Sequence, residues 1–201
     1  MPATAPVISD TRSARERLLD AADELFYAEG VHVVGIDRII EKAGVAKATL
    51  YTTFGSKDEL IRAYLQRRHT ARQQRLTDAI AHHTDPRERL LAIFDYLGEA
   101  SSLPSFRGCA FVNAAAESPT DDGVVAEESA KARAWTRELF RELSEELGAP
   151  DPVGLSDQLM LLYDGTNASA RMDGDPSAAG RARIIAIALI DAVGTPRRRR
   201  R

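Results

Sequence analysis

The chemistry in this sequence gathers in one short stretch, KATLYTTFGSK, from Lys47 to Lys57. On a helix with Leu50 and Phe54 turned inward, Lys47, Ala48, Thr49, Tyr51, Thr52 and Thr53 face outward. That face is small, hydroxylated and basic, with no acid on it, which suits a helix pressed into a DNA groove better than one facing water or a core. Lys47 and Lys57 are placed to meet phosphate, and Lys57 adds its charge to the positive N-terminal end of its own helix. The hydroxyls of Thr49, Tyr51 and Thr53 can donate to phosphate oxygens. Ala48 and Thr52 are the candidate base readers, through methyl contact with thymine.

The elements that must hold this face follow from the neighbouring residues. Ile36, Ile39, Ile40 and Ala43 form one apolar helical stripe. Gly44 follows where a chain leaving a helix turns left-handed. Val45 can plug the angle before a second helix from about Ala46 to Phe54. Upstream, Ser13-Ala14-Arg15-Glu16 is a capping box that opens a helix with Leu18, Leu19, Ala22, Leu25 and Phe26 on one side, ending at Gly30. Arg15 sits at that helix's start, where a phosphate contact is the functional reading and solvated charge the plain one. Ser56 to Glu59 is a second capping box, which opens a long helix reaching about His83.

AGVAKATLYTTFGSKDEL resembles the DNA-binding signature of TetR-type transcriptional regulators, through Ala43, Gly44, Val45, Thr49, Leu50, Tyr51, Phe54, Ser56 and Lys57. The likeness reaches back through Leu18 to Gly30, roughly the first third of the chain. It departs where Ala48 replaces a common glycine, and where Thr52 and Thr53 stand in place of larger side chains. The resemblance implies an operator-binding protein whose last two helices form a dimer face.

Beyond residue 57 the sequence reads as a helical body. Asp85-Pro86 opens a helix with Leu90, Ile93, Phe94 and Leu97 on its stripe. Cys109 to Glu117 is nearly all apolar and predicts a short buried helix. Val124 to Leu147 is long and amphipathic, with Trp135, Leu139, Leu143 and Leu147 at fourfold spacing. Leu155 to Arg171 and Pro176 to Val193 are apolar nearly all round, so a partner subunit is predicted to cover one side. Leu155, Leu159, Leu162 and Gly165 on the first, and Ile184, Ile187, Ala188 and Asp191 on the second, are the candidate dimer face.

No catalytic constellation is visible. His82 and His83 are adjacent, so they point about 100° apart on a helix and cannot easily share an ion. No phosphate loop or paired acid and base is present, so no enzyme, cofactor or metal is predicted. A pocket for a small, largely apolar effector is predicted instead, lined by Phe94, Leu97, Phe111, Trp135, Leu139 and Tyr163, with Asn113 and Asn167 as polar contacts. The plain alternative is that these aromatics are core and each amide caps a neighbouring carbonyl.

Net charge is −3. Residues 1–68 hold ten Lys/Arg and ten Asp/Glu, residues 69–196 hold twelve and twenty, and the last five residues are all arginine. DNA affinity must therefore rest on local placement rather than bulk charge. With one cysteine, Cys109, no disulfide framework exists within the chain. No segment reads as a signal peptide or membrane span, and a cytoplasmic location is predicted.

The reading is an all-α chain. It has a flexible arm (1–12), a three-helix helix-turn-helix DNA-binding domain (13–56), a helical ligand-binding and dimerisation domain (57–195) and a basic tail (196–201). It predicts a ligand-responsive transcriptional repressor that binds a palindromic double-stranded operator as a homodimer. The alternatives are a DNA binder with no small-molecule inducer, or a helical enzyme that shares the N-terminal pattern.

Overall fold

In the computed structural model, residues 12–118 and 123–193 are described. The expected tail lies outside them, as do all but Arg12 of the expected arm and most of the turn before Gly123. Among the described residues there are nine helices and no strand: α1 Ala14–Glu29, α2 Ile36–Ala43, α3 Lys47–Phe54, α4 Lys57–Ala81, α5 Pro86–Ser101, α6 Ala110–Glu117, α7 Val124–Glu146, α8 Pro152–Asp173 and α9 Ala178–Val193. They form two compact units, which divide after Tyr64.

In the first unit, α1 starts on the predicted capping box. Ser13 Oγ accepts from Glu16 N at 3.2 Å, and the Glu16 carboxylate accepts from Ser13 N at 2.8 Å. Only half of the second box forms. Ser56 Oγ accepts from Glu59 N, whereas the Glu59 carboxylate turns to Arg62. Leu18, Phe26, Ile39, Leu50 and Leu60 are buried where α1, α2, α3 and the start of α4 meet, and Phe26 packs edge-on against Tyr64 with centroids 5.5 Å apart.

The turn between α2 and α3 hangs on Gly44, at φ 64° and ψ 41°. Its N–H and that of Val45 close back onto the carbonyls of Glu41 and Ile40. A Cβ at Gly44 would touch nothing within 4 Å, so the requirement is backbone conformation alone. Gly44→Ala should lower stability by about 1 kcal/mol, the left-handed penalty of an L-residue. Urea denaturation measures it, and an unchanged midpoint would contradict the argument.

In the second unit, α5, α7, α8 and α9 bury Leu90, Ile93, Phe94, Phe140, Leu143, Leu159, Tyr163 and Ala186 in one core. On α7, Phe140 and Leu143 belong to this core and Trp135, Leu139 and Leu147 pack half-buried against it, while Val125, Ala132 and Thr136 are also buried. Two expectations need correction. Helix α6 is not wholly buried. Ala110, Phe111 and Ala114 face in, and Val112 is exposed. Leu155 and Leu159 lie inside their own chain's core and are not available to a partner, being buried in the cluster that α8 shares with α5, α7 and α9.

The outward sides of α8 and α9 are apolar all the same. Leu161, Ile184 and Ile185 are 70%, 69% and 51% exposed. Helix α9 buries Ala178, Ala179, Ala182, Ala186 and Ile190 and leaves Ile184 and Ile185 exposed. Small side chains allow close approach to α5, where a Cβ built on Gly98 would lie 3.5 Å from that of Ala179.

Candidate nucleic-acid interface and effector region

Helix α3 presents the face that its sequence predicts. Lys47, Ala48, Tyr51 and Thr52 are exposed, Thr49 and Thr53 are half-buried, and Leu50 is buried. Ala46 at the N-cap supplies no capping side chain, so the first turn of α3 keeps N–H groups for an acceptor such as phosphate. Lys47 Nζ lies 2.9 Å from Asp37 Oδ1 on α2, and this hydrogen bond raises the lysine's pKa and keeps it charged. Both side chains are well exposed, and such surface pairs are weak enough for a phosphate to displace the carboxylate.

Two threonines are committed to the backbone. Thr52 Oγ1 donates to Ala48 O at 2.9 Å, and Thr53 Oγ1 donates to Thr49 O at 2.6 Å. This corrects the expectation that Thr53 donates to phosphate, since its one hydroxyl proton is already used. For Thr52 the same bond leaves the methyl as its outward chemistry, in keeping with an apolar base contact. Tyr51 is 45% exposed.

Arg15 reaches the far end of α3, with its guanidinium 5.4 Å from the Phe54 ring centroid. It has no acidic partner among the described residues. By contrast Arg12, Arg38 and Lys42 pair with Asp20, Glu29 and Glu24. Lys57, the first residue of α4, makes a long contact of 3.4 Å to the His32 carbonyl.

The eight residues expected to line an effector pocket lie in different surroundings. Phe94, Leu97 and Tyr163 are core, and the Phe140 ring lies between Phe94 (centroids 6.3 Å) and Tyr163 (6.0 Å). Burial raises the Tyr163 pKa far above the usual phenol value. The two amides follow the plain alternative. Asn113 Nδ2 donates to Arg107 O at 2.8 Å, and Asn167 Nδ2 to Tyr163 O at 3.0 Å. An open groove of about 600 Å³ lies along α4 and α5, walled by Arg75, Asp78, His82, His83, Asp95 and Tyr96 among others, with none of the eight in its wall.

Phe111 and Trp135 do meet, through two residues that sequence reasoning passed over. His69 is edge-on to both rings, at 6.2 and 5.8 Å between centroids. Arg72 stacks its guanidinium 4.9 Å from the Phe111 centroid. Burial lowers the His69 pKa, and the positive charge of Arg72 lowers it further. An arginine and a histidine three apart on a long polar helix read as solvated charge, and only the fold shows that they face aromatics. Among the described residues, no group of His, Cys, Asp and Glu is arranged to hold a metal ion, and no helix is long and apolar enough to cross a membrane.

Comparison with known proteins gives the same division. Residues 18–64 match the family described as bacterial regulatory proteins, tetR family, and residues 86–186 match the tetracyclin repressor-like C-terminal domain. The chain belongs to the TetR family of DNA-binding transcriptional regulators. A crystal structure of a TetR-family transcriptional regulator from Streptomyces coelicolor is 34% identical, with 90% of this chain and 96% of that one covered at a TM-score of 0.86. The transcriptional activator FasR of Mycolicibacterium smegmatis is 41% identical over 87 residues, 41% of this chain and 40% of that protein. This TetR-family chain thus spans about two fifths of the length of that curated relative. A structure of the TetR-family regulator CifR, a cysteine mutant complexed with 26-base-pair operator DNA, has the same fold at 22% identity and a TM-score of 0.72. The family places this protein with regulators, not enzymes.

Proposed function

We propose that this regulator binds a palindromic operator as a homodimer and is released by a small, largely apolar effector held in its second unit. The observation that carries the DNA reading is the α3 face, exposed, basic and hydroxylated beside an uncapped helix start. The exposed apolar residues of α8 and α9 support the dimer. A dimer would present two α3 helices to successive major grooves, about 34–36 Å apart. Helix α4 is one unbroken helix from Lys57 to Ala81 and carries the chain from the first unit into the second, a covalent route for a shift caused by an effector. The size of the response equals the effector's differential affinity for the two states.

Repression is the proposed direction, because a dimer seated across two grooves covers the DNA beneath it without further contacts. Activation is the second reading, favoured by the likeness to FasR. Fluorescence anisotropy with DNA flanking the gene tests binding, and a transcription assay on the same fragment reads its sign. Absence of salt-sensitive, sequence-selective binding would end the proposal.

Within α3, Tyr51→Phe should weaken binding to all sequences alike, by about 1.5–3 kcal/mol for a lost hydrogen bond to a charged phosphate. Thr52→Ala should instead change the preferred base at one step, with discrimination falling by about 1–3 kcal/mol. Selection from a randomised operator library separates the two. Identical profiles would refute the split between phosphate and base contacts.

A further inference from the structure

We propose that Arg72, with Phe111, His69 and Trp135 around it, binds the carboxylate of a small aromatic acid, so that the effector of this regulator is an organic monoanion. This rests on the effector reading above and deepens it from an apolar ligand to an acidic one. Arg72 is half-buried on α4, and its Nη2 donates to Ala132 O on α7 at 2.9 Å. Its Nε is buried and has no acceptor. No carboxylate lies within ion-pair distance of Arg72 among the described residues. A guanidinium with one N–H cut off from water and no counter-charge beside it gains when an anion arrives.

The surroundings select the kind of anion. The guanidinium lies over the Phe111 ring, and His69 stands edge-on to both Phe111 and Trp135, so a flat apolar body finds aromatic neighbours beside the charge. Arg72, His69 and Trp135 each keep part of their surface accessible. Ser129 Oγ is a second buried atom without a partner. It lies three residues before Ala132 on α7, one turn from the carbonyl that anchors Arg72, and offers a hydroxyl donor.

The charge balance favours a monoanion. His69 is held toward its neutral form. Glu128, also on α7, is buried, and its carboxylate accepts from Lys131 at 3.1 Å and Gln66 at 3.3 Å. A single uncompensated positive charge with an acid nearby matches a carboxylate better than a phosphate dianion.

The test titrates the full-length protein with 4-chlorobenzoate, its uncharged counterpart 4-chlorobenzamide and phenyl phosphate at neutral pH. The readout is the fluorescence of Trp135, the single tryptophan. The acid should bind at least tenfold more tightly than the amide and more tightly than the phosphate. Arg72→Gln should abolish that preference, and Arg72→Lys should keep part of it. Circular dichroism checks that each variant folds, and the comparison of probes on the unaltered protein and on Arg72→Lys stands if the glutamine variant does not fold. Equal binding of acid and amide, tighter binding of the phosphate, a preference that survives Arg72→Gln, or no saturable binding of the acid at millimolar concentration would overturn the proposal. Operator anisotropy in parallel separates the two readings. Arg72-dependent binding of the acid with no change in operator affinity keeps this site and removes its effector role. Release of the operator by the amide but not the acid keeps an effector and removes this site.

Discussion

Phe140→Ala should destabilise the second unit by about 3–5 kcal/mol, the usual loss for a large aromatic cut from a packed core. That is a large share of the roughly 5–15 kcal/mol that holds a typical domain folded. Phe140 is wholly buried, and its ring sits between those of Phe94 and Tyr163, so no side chain can swing in from solvent to fill the space. Trp135→Ala serves as the comparison. Trp135 is larger but only half-buried, and its loss should cost less than that of Phe140. Chemical denaturation followed by circular dichroism measures both, since Trp135 fluorescence is lost in one of them. If Trp135→Ala proves the more damaging, the half-buried side of α7 holds the core together more than its fully buried face does.

That face was not legible in the sequence, and the reason is physical. The fourfold series Trp135, Leu139, Leu143 and Leu147 is the more apolar one and packs on the core, yet apart from Leu143 the fully buried line runs through Ala132, Thr136, Phe140 and Ser144. The two hydroxyls on that stripe satisfy themselves within the helix. Thr136 Oγ1 donates to Ala132 O at 3.1 Å, and Ser144 Oγ to Phe140 O at 2.7 Å. A polar residue that bonds to its own helix can be buried at little cost, and apolar periodicity does not register it. Helix α9 misleads in the opposite sense. Four of its alanines go inside, where Ala179 lets α5 come close, and Ile184 and Ile185 are left out while Ile190 stays in the core.

The first unit was legible almost residue by residue, because its signals are local. A capping box, a glycine at φ 64° and a 3.6-residue stripe each act within a few residues, so no distant packing can overrule them. Arg72 marks the limit of that approach. Its significance depends on Phe111 and Ala132, far along the chain, and on the absence of an acid that sequence spacing cannot exclude.

The exposed isoleucines of α9 lead to the second large effect. If the protein pairs as proposed, Ile184→Asp should leave it a monomer and weaken operator binding by two to four orders of magnitude, about the range that joining two binding modules supplies. Ile184 is 69% exposed in the single chain, so an aspartate there is solvated in the monomer and its fold should survive. Surface substitutions of this kind usually change stability by no more than about 0.5 kcal/mol. In a two-fold interface the same residue enters twice, and two desolvated carboxylates would face a surface formed by Leu161, Ile184 and Ile185. Leu159→Asp makes the contrast. Leu159 is fully buried in its own chain, and that substitution should unfold the second unit rather than separate two folded copies. Sedimentation velocity gives the mass, circular dichroism the fold, and anisotropy the operator affinity. A folded Ile184→Asp variant that stays dimeric and keeps its affinity would show that the pairing surface lies elsewhere. One that becomes monomeric yet binds undiminished would show that a single α3 is enough for the DNA, and that the apolar side of α8 and α9 serves some other end.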